Sequence, residues 1–99
     1  MIHEKLRLPT KTADGYVIPV GPVKLVNVIT DKGMVGCGAF DLSALEVHGI
    51  PAAKVRAAHG GLIETIDDLM QGSVKEINKP GEKAGLKVGM TGREALEQL

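Results

Sequence analysis

Residues 23–40 read Val23-Lys24-Leu25-Val26-Asn27-Val28-Ile29-Thr30, then Asp31-Lys32-Gly33, then Met34-Val35-Gly36-Cys37-Gly38-Ala39-Phe40. The first run is β-branched and apolar on both faces, the pattern of a strand inside a sheet. Asp31-Lys32-Gly33 is a hairpin loop, with glycine at the position expected to need a positive φ. The return strand, Met34 to Phe40, places Gly36 and Gly38 on one face and Val35, Cys37 and Ala39 on the other. Two glycines on one strand face predict that another group packs closely there.

Upstream, residues 3–8 alternate imperfectly and end at Pro9, which predicts a short edge strand. Asp14-Gly15 is a turn signal, and Tyr16-Val17-Ile18 reads as a second short strand broken by Pro19. Gly21-Pro22 bends the chain into the run at Val23.

Downstream the period lengthens. Asp41 sits where an N-cap belongs, before Leu42, Leu45 and Glu46 at helical spacing, and Gly49-Ile50-Pro51 ends that helix. Ala53-Lys54-Val55-Arg56-Ala57 alternates small or apolar with basic, as a half-buried strand does. His59-Gly60-Gly61 is a loop. Thr65-Ile66-Asp67-Asp68 opens a short helix closed by Gly72, and Ser73 to Ile77 is a further strand. Pro80 suits the first turn of a short helix ending at Gly85. Thr91-Gly92-Arg93-Glu94 is a capping-box pattern leading into Ala95, Leu96 and Leu99. An antiparallel β region over 1–40, followed by interleaved short helices and strands over 41–99, makes a single α+β domain.

Composition narrows the function classes. The chain has 99 residues, 43% apolar and 24% charged, which is globular rather than disordered. Only Tyr16 and Phe40 carry aromatic rings, so the core is aliphatic. A thin aliphatic core favours help from a partner subunit. Twelve basic residues balance twelve acidic ones, and there is neither a basic run nor a set of rings to stack bases. No nucleic-acid partner is expected. No apolar stretch approaches the ~20 residues of a membrane span, so no membrane partner is expected either. The N-terminus lacks a basic-then-apolar leader, and one cysteine cannot form an internal disulfide; both point to the cytoplasm.

Three segments carry a family resemblance: Cys37-Gly38-Ala39-Phe40-Asp41, Thr65-Ile66-Asp67-Asp68-Leu69, and Gly89-Met90-Thr91-Gly92-Arg93-Glu94-Ala95-Leu96. In order and spacing they resemble the small prokaryotic YunC-like proteins of unknown function, and the last segment is the most specific. The resemblance implies a tetramerising N-terminal β region followed by a compact α/β portion, and it implies no activity or cofactor. Residues 59–64, His-Gly-Gly-Leu-Ile-Glu, depart from the tighter Gly-Val-x-Thr passage of that family. A role for His59 is therefore not carried over.

Candidate chemistry is sparse. Cys37 is the one thiol, four residues before Asp41, and a reactive thiol needs a nearby cation, base or helix N-terminus. The alternative is a small buried hydrophobe between glycines. Asp41 could act as a base, but capping accounts for its position. His3, His48 and His59 show no metal-ligand spacing, so neither a metal nor a cofactor is expected. Lys54 and Arg56 share a strand face and precede the His59-Gly60-Gly61 loop. Arg93 lies in a helical first turn, where a cation opposes the helix dipole unless an anion or carboxylate compensates. Lys54, Arg56, His59 and Arg93 are therefore the candidate ligand-binding residues, and Cys37 with Asp41 the candidate catalytic pair. Three readings follow: a homotetrameric domain that binds a small anionic ligand or acts as a regulatory subunit; a small thiol-dependent enzyme; a purely structural interaction protein.

Overall fold

The chain, described over residues 1–99 by a computed structural model, builds one six-stranded sheet in the order β1-β2-β3-β4-β5-β6. The strands are β1 (Ile2–Leu8), β2 (Lys11–Val20), β3 (Val23–Ile29), β4 (Met34–Gly36), β5 (Ala52–Arg56) and β6 (Ser73–Ile77). Every neighbouring pair is antiparallel except β4 and β5, which run parallel. A parallel pair needs a crossover connection, and helix α1 (Leu42–Val47) lies within it. Helices α2 (Ile66–Gln71), α3 (Lys79–Lys83) and α4 (Gly92–Gln98) follow. The architecture is α+β, as the residue pattern predicts. None of these helices is long and apolar enough to cross a membrane.

The core lies on one face of the sheet. Val17, Val26, Val28, Val35, Val55 and Val74 point to it and are all buried. Helices α2 and α4 close over them with Ile66, Leu69, Ala95, Leu96 and Leu99. The caps that fix these helices are the expected ones. Asp41 Oδ1 accepts from the Ser43 and Ala44 N–H groups, and Thr65–Asp68 and Thr91–Glu94 each form a complete capping box.

On the opposite face, Phe40 lies over Gly36, and Leu45 of α1 shares a hollow with Ile29 and Met34. The rest of that face, over β1–β3, has no covering element. Ile18, Val20, Val23 and Ile29 there are 36–49% exposed. Tyr16 stacks on His3 at 4.7 Å between ring centroids, and Asp14 receives His3 Nε2 at 2.9 Å and Lys5 Nζ at 3.0 Å.

Four local expectations are corrected. Asp14-Gly15 is no turn: it lies within β2, and the reversal is at Pro9-Thr10, between the paired residues Leu8 and Lys11. Glycine at position 15 is favoured by packing, since a Cβ there would stand 2.6 Å from Ile66 Cδ1 and that side-chain tip would have to shift. Pro19 does not break β2, which continues to Val20. Gly33 is not in the positive-φ region; it is glycine because a Cβ would run into the Pro51 carbonyl. The return strand stops at Gly36, where Phe40 folds back and its N–H reaches the Cys37 carbonyl at 3.4 Å. The close approach expected at the paired glycines is present, with Phe40 Cδ2 2.6 Å from a Cβ position on Gly36.

Candidate functional site

Where the parallel strands β4 and β5 end, the chain leaves the sheet in two directions and opens a cleft of about 320 Å³. The carboxyl ends of adjacent parallel strands are where open sheets commonly take ligands, because the diverging loops leave a crevice. One wall is Cys37-Gly38-Ala39, just beyond β4. Another is Val55-Arg56-Ala57 at the end of β5, and Gly61-Leu62-Ile63 closes the far side. Val23, Lys24 and Leu25 from the start of β3, and Lys75 from β6, complete it.

Three cations stand around this space: Lys24, Arg56 and Lys75. No carboxylate lines it. The ion pairs of the chain are His3–Asp14 and Lys5–Asp14, both far along the sheet, so none of the three cations is neutralised by a neighbour. Lys75 owes its place to a β-bulge. Lys54 pairs with Glu76 and Val55 with Val74, leaving Lys75 as the extra residue between them. A bulge bends its strand and re-aims a side chain. Here it brings Lys75 Nζ to 3.3 Å from a Cβ position on Gly38, so a side chain at residue 38 would crowd the ammonium.

The expected site residues divide. Cys37 is buried and lines the cleft; its N–H bonds the Val26 carbonyl at 3.0 Å. Arg56 is exposed at the cleft wall. Asp41 caps α1 and is not part of the cleft. Lys54 is half-buried opposite Glu76 and does not line the cleft. His59 is exposed in a smaller neighbouring hollow with Asp68 and Gln71. Arg93 is exposed on α4, forms no ion pair, and lines no cavity. Lys24 and Lys75 escape a reading of the sequence, since Lys24 is a lone charge in a run apolar on both faces and the aim of Lys75 depends on the bulge. No group of three His, Cys, Asp or Glu side chains converges to hold a metal ion.

Known proteins place this arrangement in context. Over 72 residues, 73% of this chain and 70% of the relative, the sequence is 35% identical to the uncharacterized protein YunC of Bacillus subtilis (strain 168). The fold is similar to the crystal structure of TA1206, a protein of unknown function from Thermoplasma acidophilum. That similarity has a TM-score of 0.87 at 21% identity and covers 99% of this chain and 91% of that one. Residues 36–99, which carry the Cys37 turn, β5, the bulge and all four helices, match the domain of unknown function DUF1805. The chain belongs to the DUF1805 family.

Proposed function

We propose that this protein is a homotetrameric binding domain that takes a small anion in the cleft at the ends of β4 and β5. The observation that carries the reading is the charge of the cleft. Three cations converge on a cavity without a carboxylate, in a chain whose net charge is zero. Like charges gathered without counter-charge repel one another, and an anion between them relieves that cost. Arg56 supplies a planar fork suited to a carboxylate or phosphate, while Lys24 and Lys75 act as point charges. Self-association is supported by the bare outer face of β1–β3, where Ile18, Val20, Val23 and Ile29 stand exposed.

Thermal shift with phosphate, sulfate and small carboxylates tests the anion. Saturable stabilisation is expected, about 2.7 kcal/mol at 100-fold over Kd. It should be lost in Arg56→Ala and Lys75→Ala and kept in Arg93→Ala, which lies outside the cleft. A melting temperature unmoved by every anion would overturn the reading.

A thiol-dependent enzyme is the second reading, because Cys37 lies in the wall of the same cleft, next to the residue approached by Lys75. Alkylation of Cys37 within seconds at neutral pH in the native protein would favour this reading. Slow alkylation, with unchanged anion binding by Cys37→Ser, would leave Cys37 as a packing residue.

A further inference from the structure

We infer that the anion taken by the cleft is an aliphatic carboxylate, a short hydrocarbon body with one acid head. This rests on the small-anion reading above and adds what the rest of the ligand must be. Apart from Lys24, Arg56 and Lys75, the only polar side-chain atom in the wall is the Cys37 sulfur. The other lining residues are all aliphatic or glycine.

That lining discriminates between classes of anion. A sugar phosphate would bring hydroxyls into a cleft whose side chains offer no oxygen acceptor and only cationic donors, and a buried hydroxyl without a partner is costly. A nucleotide would bring a base, and no ring stands in the wall to stack on it. Inorganic phosphate would satisfy the cations and leave the exposed apolar side chain of Leu62 in the cleft wall uncovered. An aliphatic carboxylate leaves none of these groups unmatched. Its head sits between Arg56 and Lys75, and its chain lies against Leu25, Val55, Leu62 and Ile63. Leu62, 60% exposed, is the side chain that such a tail would cover. The volume of about 320 Å³ is at the lower end for ligand cavities, which suits a short chain.

Isothermal titration of the whole protein with acetate, butanoate, hexanoate and octanoate tests the inference, with inorganic phosphate, adenosine monophosphate and octanol as controls. Affinity is expected to rise about fourfold per methylene until the cleft is full, the equivalent of ~0.8 kcal/mol for a buried methylene. Arg56→Ala should weaken every carboxylate. Leu62→Ala should weaken hexanoate while leaving acetate unchanged. Phosphate binding combined with a flat carboxylate series would overturn this inference and leave the small-anion reading standing, as would a nucleotide tighter than hexanoate. Octanol binding as tightly as octanoate would overturn both, since the head group would then be irrelevant. Silence from every anion would likewise remove both.

Discussion

Asn78 joins three elements with one side chain. Its Oδ1 accepts from the Ala52 N–H at 3.1 Å and the Gly81 N–H at 2.9 Å, and its Nδ2 donates to the Ile50 and Leu42 carbonyls at 2.9 and 3.3 Å. It thereby caps α3, pins the start of β5 and holds the end of the α1 loop, while only 4% exposed. Asn78→Ala strands those buried backbone groups and should destabilise by roughly 3–5 kcal/mol, read from denaturant midpoints. Asn78→Asp keeps the acceptors, loses the donors and buries a charge, so it should not rescue. The sequence does not show this role, because the bonds to Ala52, Ile50 and Leu42 cross to residues 26–36 positions away. The string Gly89 to Leu96 was legible as a cap for the opposite reason: Thr91 and Glu94 stand three apart, the spacing that the backbone of a first turn dictates. Its Gly92 has a separate cause that no local pattern shows. A Cβ there would run into the Leu69 carbonyl, so Gly92→Ala should part α2 from α4 and cost about 1–3 kcal/mol in thermal unfolding.

Helices of six or seven residues are too short to hold themselves, so their ends carry disproportionate weight. Thr91→Ala removes an acceptor of the Glu94 N–H and should cost roughly 0.5–2 kcal/mol. In α2 the answering residue is Asp68, whose carboxylate accepts from the N–H groups of Glu64 and Thr65, both at 3.1 Å. The Glu64 bond, the larger cause, holds its pKa below the ordinary 3.8, and the Thr65 groups add to it. Asp14 is lowered in the same direction by His3 first and Lys5 second. Both carboxylates therefore contribute stability that is complete above about pH 4 and is lost as pH falls through their lowered values. Melting temperature should drop on that acid limb, and Asp68→Asn should flatten it; an unchanged slope would mean the bond is absent in solution. The element pattern was largely readable where local chemistry decides it, as in β3, β6 and the capped helices. It failed at Asp14-Gly15, where the preference for glycine comes from Ile66 of the overlying α2, and at β4, which Phe40 cuts short by folding over Gly36. The cleft is half legible: Cys37 and Arg56 stand out in the sequence, while Lys75 depends on a bulge where Val55 pairs with Val74 and Lys54 with Glu76.

For the whole molecule, the expected assembly is four copies in contact through the outer face of β1–β3. Ile18→Glu with Val20→Glu places charge on that face without touching the core or the cleft. Light scattering should then fall from the mass of four chains to that of one, with the far-ultraviolet spectrum kept; a wild type that already scatters as a single chain would remove the assembly. Val17, next to Ile18, points the other way into the core, so Val17→Ala should lower stability instead of altering mass. The order of the strands in the sheet has a consequence in time. Because chain order and sheet order coincide, β1, β2 and β3 find one another across two-residue reversals, Pro9-Thr10 and Gly21-Pro22. The parallel pair must wait for a far longer closure through α1, and the entropy of closing a loop grows with its length. The meander is thus the first part of the sheet able to form, and the cleft, made at the ends of β4 and β5, among the last. In stopped-flow experiments, replacements in the β2–β3 hairpin should slow refolding, whereas Leu96→Ala in α4 should act chiefly by hastening unfolding.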